Sequence, residues 1–186
     1  MRIVGGEHKG RALQAPQGRA TRPTSDRARE SLFNILAHAD WSPGVERRRV
    51  LDLFAGSGAL GFEALSRGAV FALFVETDEA ARGAIRTNVE TLGLFGATRV
   101  HRRDATDLGP KPAGLGAPFD LVFLDPPYHK GLGEKALASL MPGGWISSDA
   151  LIVFEHGVDE QIEPPGFTLL DTRDYGAATL KFLKPA

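Results

Sequence analysis

Val50-Leu-Asp52-Leu-Phe54-Ala55-Gly56-Ser-Gly58-Ala-Leu-Gly61 is the stretch on which the fold turns. Its first half is a short apolar run. Its second half is glycine-rich and passes into a helical pattern that reaches about Arg67. A buried strand that ends in glycines and re-enters as a helix opens a βαβ unit. Glycines let the backbone turn tightly and approach a ligand closely. The helix that follows offers unpaired N–H groups. Glu76 closes the next apolar run, Val70-Phe-Ala-Leu-Phe-Val75. A carboxylate there can accept hydrogen bonds from both hydroxyls of a ribose. Read literally, Gly56-Ser-Gly58-Ala-Leu-Gly61 also satisfies the dinucleotide fingerprint G-x-G-x-x-G. Loop and acid together therefore call for a nucleoside-bearing cofactor, without choosing between NAD and S-adenosylmethionine.

Outward from this stretch the pattern repeats. A helix is expected over about Glu79–Leu92, and a weaker strand at Arg99-Val-His101. Phe119-Asp-Leu-Val-Phe-Leu124 and Leu151-Ile-Val-Phe154 supply a fourth and a fifth strand. Apolar runs alternating with helical segments predict a parallel sheet covered on both faces. The tail differs. Phe167-Thr-Leu-Leu-Asp-Thr-Arg and Ala178-Thr-Leu-Lys-Phe-Leu are joined by Asp174-Tyr-Gly-Ala with no helix between, which predicts an antiparallel hairpin at the sheet edge. Upstream, Ser25 is a candidate N-cap for an amphipathic helix over about 25–39, with Asp26 in its first turn. Residues 1–20 are irregular, with short apolar pairs between glycines, and predict an extended arm or small hairpin. Gly109 to Pro118 is expected to be a loop.

Two features choose between the cofactors. Asp52 lies four residues before Gly56 on the first strand. A carboxylate there repels a pyrophosphate but suits a cationic sulfonium or its amino group. The second feature is Asp125-Pro126-Pro127-Tyr128, which ends the fourth strand, where open α/β sheets bind their ligands. Two prolines fix φ and remove two backbone donors. What faces the site is then acceptor-only, with an aromatic ring beside it. A planar base can stack on that ring and present its edge to the acceptors. An exocyclic amine is a poor nucleophile because its lone pair is conjugated into the ring. Hydrogen bonds from that amine to Asp125 and to the Pro126 carbonyl would pull the nitrogen toward sp³ geometry. Asp125 or a water would take the leaving proton. Asp104, after the third strand, is open to two readings. It either accepts from an adenine amino group, with the Ala105 N–H on the ring, or caps a helix.

The 186 residues fit one domain, with residues 1–40 as an arm and helix over the cofactor site and 48–186 as the core. No cysteine is present, which excludes disulfides and cysteine-held metals and suits a reducing cytoplasm. The five histidines show no ligand spacing, so no metal is expected. No apolar run resembles a secretory h-region or a membrane span. The net charge is −1, yet seven of the 22 basic side chains and only three of the 23 acidic ones fall within residues 1–30. Such asymmetry fits a phosphate-facing arm or a solvated one. Arg47-Arg-Arg49 and Arg99, Arg102 and Arg103 are further basic clusters, expected to be solvated.

Taken together, the glycine loop Asp52–Gly61, Glu76, Asp104 and the Asp-Pro-Pro-Tyr tetrad resemble the Rossmann-like amino-methyltransferases. Ile3-Val-Gly-Gly-Glu-His-Lys-Gly-Arg-Ala-Leu13 and Arg22-Pro-Thr-Ser-Asp-Arg-Ala-Arg-Glu-Ser-Leu-Phe-Asn-Ile-Leu36 narrow this to the RsmD-type family, which the sequence resembles over essentially its whole length. The resemblance implies an S-adenosylmethionine-dependent enzyme that makes N2-methylguanine in small-subunit (16S) ribosomal RNA. Its substrate would be a partly assembled subunit rather than free RNA. It implies a seven-stranded, mostly parallel sheet whose last strand is antiparallel. It places the Arg22–Arg29 segment over the cofactor pocket, with Thr24 near the methionine end and Phe54, Ala55, Gly56 and Gly58 in the cofactor loop. Lys9, Arg11 and Arg22 would contact RNA.

Other classes fit less well. A DNA adenine-N6 or cytosine-N4 methyltransferase would use the same tetrad, but a sequence-reading enzyme needs a recognition domain for which this length leaves little room. An oxidoreductase would need a second nucleotide-binding half and an acid or base for hydride chemistry. A non-catalytic module would have no use for an intact Asp125 and Tyr128.

Overall fold

The computed structural model describes residues 1–16 and 24–186. Seven strands form one sheet: β1 (Arg49–Leu53), β2 (Phe71–Val75), β3 (Thr98–His101), β4 (Phe119–Leu124), β5 (Ile146–Gly157), β6 (Phe167–Tyr175) and β7 (Ala178–Pro185). Their spatial order is β3-β2-β1-β4-β5-β7-β6. β1 to β5 pair in parallel, and β7 is antiparallel to both β5 and β6. This is the Rossmann-like α/β sheet with an antiparallel end that the sequence predicts. β1 is flanked by β2 on one side and β4 on the other. The chain thus reverses direction across the sheet there, and the C-terminal ends of β1 and β4 open a crevice.

Strand alternation sends two apolar sets to opposite faces. Val50, Ala72, Phe74, Leu121, Phe123 and Val153 pack beneath α1 (Asp26–His38), α2 (Ala59–Ser66) and α3 (Glu79–Leu92). Leu51, Leu53, Leu73, Val122, Ile152 and Phe154 pack against α4 (Leu132–Leu140) and Trp145. Ser25 caps α1 through a hydrogen bond from Ala28 N, 3.0 Å, and Asp78 caps α3 through Ala81 N, 2.9 Å. Burial of both faces explains the near-continuous apolar runs of β1, β2 and β4. β3 reads weakly because it is an edge strand and none of its residues is fully buried.

Two elements depart from the sequence reading. α4 has no clear counterpart in the sequence pattern. Its buried face is Gly133, Ala136, Leu137 and Leu140, and two small residues in four blur the 3.6-residue period. β5 begins at Ile146 rather than Leu151, because its first residues, Ser147, Ser148 and Asp149, carry no apolar signal. The Gly109–Pro118 stretch is a loop with one short 3-10 turn, Ala113–Leu115. Arg49 is not simply solvated. Its guanidinium lies 4.9 Å from the Phe71 ring centroid and 5.2 Å from that of Phe119, and donates to the Leu115 and Ala117 carbonyls. It therefore fastens this loop to the sheet.

The amino-terminal arm is a small hairpin, closed by an antiparallel bridge between Arg2 and Ala12. A buried carboxylate holds it. Glu63, on α2, accepts from Val4 N and Gly5 N, each at 3.0 Å, from Arg29 Nε at 3.3 Å and from Arg67 Nε at 2.8 Å. Both Arg29 and Glu63 have fully buried side chains. Arg29 also donates to Asp26 at 2.8 Å and to the carbonyls of Thr24 and Arg2. Arg29 sits on the face of α1 shared by Leu32, Phe33 and Leu36, so it points inward rather than toward a ligand.

Candidate active site

A cleft of about 1200 Å³ opens at the C-terminal ends of β1, β2 and β4. Of the residues singled out from the sequence, Thr24, Asp52, Phe54, Ala55, Gly56, Glu76, Asp104, Asp125, Pro126, Pro127 and Tyr128 line it. Met1, Ala15 and Pro16 of the arm complete one wall. Gly58 and Ala105 do not line the cleft, and neither do Lys9 and Arg11. Arg22 lies outside the described residues.

The glycine loop is shaped by acids as well as by glycines. Phe54 leaves β1 in the left-handed region, φ 56°, which swings the chain off the strand. Glu76 Oε1 then accepts from Gly56 N at 2.8 Å and Oε2 from Asp78 N at 2.9 Å. Glu76 thereby ties the loop to the end of β2. Each oxygen keeps a further lone pair for a ligand. Asp52 Oδ2 accepts from Gly61 N at 3.1 Å, in the first turn of α2. A Cβ on Gly58 would fall 2.7 Å from Phe62 and 2.9 Å from Phe74, so this glycine serves the packing of α2 on β2 rather than ligand approach. Gly61 is held the same way against the Phe74 ring.

Burial pushes the Asp52 carboxyl well above the usual carboxylate range. The Gly61 N–H opposes this, and the nearby Glu76 charge adds to it. Asp104 is exposed and differs. Its Oδ1 accepts from Thr106 Oγ1 at 2.7 Å and Thr106 N at 2.9 Å, which lowers its pKa. No helix follows, so the capping alternative is not realised: Asp104 organises a turn and leaves Oδ2 for a ligand.

Asp125 leaves β4 immediately after the Leu124↔Phe154 pair. The segment beyond it is braced by Glu160, which the sequence did not single out. Glu160 Oε1 accepts from His129 N at 3.0 Å and Oε2 from Gly157 N at 2.6 Å, joining the tetrad loop to the end of β5. His129, at φ 64°, places its ring edge-on to Tyr128, 6.2 Å between centroids. Its Nε2 meets Asp159 Oδ1 at 2.8 Å, and this hydrogen bond raises the His129 pKa. Glu63, Arg29 and Glu160 escape a sequence reading because the partners that give them their roles, the arm's backbone and the Arg29–Glu63 contact for the first two and His129 N for the third, lie on other elements. The available signal was a charge on an otherwise apolar helix face, as at Arg29 and Glu63.

The charge of the cleft is one-sided. Asp52, Glu76, Asp78, Asp104 and Asp125 line it, and among the described residues no Lys or Arg does. Such a cleft repels polyphosphates and attracts cations. Among the described residues no group of acids and histidines is placed to hold a metal, and no helix is long and apolar enough to cross a membrane.

A family model described as Conserved hypothetical protein 95 matches residues 1–184. The chain belongs to that family. Among the family's curated proteins, the Ribosomal RNA small subunit methyltransferase D of Escherichia coli (strain K12) is 42% identical over 159 residues, covering 86% of this chain and 76% of the relative. Its namesake in Haemophilus influenzae is 37% identical over 183 residues, covering 97% and 92%. The solved structure of yhhF from Escherichia coli matches with a TM-score of 0.80 at 37% identity, covering 100% of this chain and 97% of that one. The family resemblance read from the arm and the Asp-Pro-Pro-Tyr tetrad is thus borne out.

Proposed function

We propose that this protein transfers a methyl group from S-adenosylmethionine to the exocyclic N2 of a guanine in small-subunit ribosomal RNA, acting on a subunit or an assembly intermediate. The observation that carries the choice of cofactor is the cluster of acidic side chains in the cleft, where no Lys or Arg stands among the described residues: a dinucleotide pyrophosphate would face Glu76, Asp78, Asp104 and Asp125 there, whereas a sulfonium is complementary to them. The names of the family's curated proteins support RNA of the small subunit as the acceptor.

The residues present fit this cofactor. Glu76 would take the ribose hydroxyls with its remaining lone pairs. Asp104 Oδ2 would take the adenine amino group. Ala55, Gly56, Asp52 and Thr24 would bound the methionine portion. When bound, S-adenosylmethionine would supply an electrophilic methyl carried on a cationic sulfur, and Asp125 or a water would take the proton that the acceptor amine gives up.

The chain's own part is positioning and electrostatics. Tyr128 offers a face for the base, and Pro126 and Pro127 keep the loop rigid and free of competing donors. Asp125 and the Pro126 carbonyl accept from the amine and turn its lone pair out of conjugation. Glu160 holds this loop in place through His129 N. Lys9 and Arg11 lie on the arm, outside the cleft, where they would meet phosphates. Arg11 also donates to the Thr91 carbonyl at 2.8 Å, so it orients the arm on α3 as well.

Asp125→Ala tests the division of roles. Methyl transfer to undermethylated small subunits should fall by about 100-fold or more, while calorimetry shows cofactor affinity within a few-fold of wild type. Parallel loss of both would show that Asp125 serves the cofactor rather than the amine.

A further inference from the structure

Resting on the guanine reading above, we propose that Glu155 is the residue that selects guanine over the other amino-bearing bases. The argument begins with strand register. β4 and β5 pair in parallel through Leu124↔Phe154. Asp125 is the first residue beyond the end of β4, and Glu155 is the next residue of β5, still in the sheet and paired with Leu180 of β7, so the two stand side by side across the β4–β5 seam. Both follow the face of Leu121, Phe123, Leu151 and Val153, which packs under α1. Both line one narrow crevice beside the cofactor cleft, walled by Leu32, Leu60, Val153, Leu180 and Tyr175. Thr24, Leu60 and Asp125 belong to both cavities, so the two are contiguous at Asp125.

Glu155 is half-buried in that largely apolar wall. Among the described residues its carboxylate makes no side-chain hydrogen bond or ion pair, whereas Glu63, Glu76 and Glu160 each accept two or more. A half-buried carboxylate that no described residue pairs with is left to water or to a ligand that supplies donors. A guanine edge supplies them. N1–H and the N2 amino group stand next to each other and both donate. With Asp125 accepting from N2, the adjoining carboxylate of Glu155 accepts from N1–H. Adenine and cytosine carry an amino group too, but the ring nitrogen beside it is an acceptor whose lone pair would face the Glu155 carboxylate. A site built to accept a hydrogen bond rejects a ligand that lacks the donor far more strongly than an apolar pocket rejects a missing methylene. Tyr175, 37% exposed at the crevice mouth, provides the aromatic surface on that side.

The test uses the whole enzyme and small subunits reconstituted with either guanine or 2-aminopurine at the methylated position. 2-Aminopurine keeps the amino group but carries a bare ring nitrogen at N1. Wild type should favour guanine by about 100-fold or more in kcat/KM. Glu155→Gln should leave cofactor affinity unchanged and lower kcat/KM on guanine by roughly 10- to 100-fold, the size of a lost charge-assisted hydrogen bond. Its carboxamide can donate to a bare N1, so its preference for guanine over 2-aminopurine should shrink at least about 10-fold. Equal loss on both acceptors, or no change on guanine, would overturn the assignment while leaving guanine methylation intact. Wild type that methylates another base, or none, would overturn the acceptor reading and this assignment together.

Discussion

Replacing Glu63 with Gln removes the charge on which the amino-terminal arm depends. In the folded protein this carboxylate accepts four hydrogen bonds, two from backbone N–H groups of the arm and one each from Arg29 and Arg67. A carboxamide offers one acceptor oxygen and presents an NH₂ to donors on the other side. Breaking a buried pair from one side costs about 3–5 kcal/mol, because the remaining charge stays buried. Arg29 keeps Asp26 and two carbonyls, which argues for the lower end, about 3 kcal/mol. For a domain of this size each kcal/mol lowers Tm by about 2–4 °C, so the expected drop is about 6–12 °C by circular dichroism. The arm's Met1, Ala15 and Pro16 wall the cleft, so cofactor affinity should fall as well. The double variant Arg29→Met, Glu63→Met should recover only part of the loss, since Val4 N and Gly5 N still lack their acceptor. A Tm within 2 °C of wild type, as a rough threshold, together with unchanged cofactor affinity, would refute the claim that this carboxylate anchors the arm.

Three further outcomes follow from the site. Gly61→Ala drives a Cβ against the Phe74 ring and to 3.2 Å from Asp52 Oδ2, and should destabilise by about 1–3 kcal/mol, read from denaturant midpoints at unchanged m. Burial raises the Asp52 pKa and a cationic sulfonium beside it would lower it again, so affinity for S-adenosylmethionine should rise with pH through the range in which Asp52 titrates, and its binding should exchange more protons with solvent than binding of S-adenosylhomocysteine, whose sulfur is neutral. Calorimetry in buffers of different ionisation enthalpy measures this, and Asp52→Asn should abolish the difference. The His129 pKa is raised by Asp159, so this pair's contribution is present below the unfolded histidine value and fades as pH rises through the folded one. Asp159→Asn should shift the His129 resonance midpoint back down in an NMR titration.

The sheet was legible because its strands are buried on both faces and its glycine loop and acidic strand ends recur at fixed offsets. The α1 cap, the α3 span and the antiparallel hairpin followed from residues that act locally, such as Ser25 and the Tyr175-Gly-Ala turn. What escaped was non-local or weakly patterned. α4 hides behind Gly133 and Ala136, and the start of β5 behind two serines and an aspartate. The Arg29–Glu63 pair joins residues 34 positions apart, and Glu160 acts on a loop 31 positions upstream. In sequence Asp52 and Glu76 present themselves only as ligand groups, yet each also accepts from a loop or helix backbone N–H, a duty that only the folded turn reveals.

The central claim is tested most directly by incubating the enzyme with methyl-labelled S-adenosylmethionine and small ribosomal subunits that lack the modification, with duplex DNA as control, and analysing the nucleosides. The account predicts label in N2-methylguanine of the small-subunit RNA and none in DNA. Label confined to adenine or cytosine of the DNA, or absent from guanine despite tight cofactor binding, would contradict it.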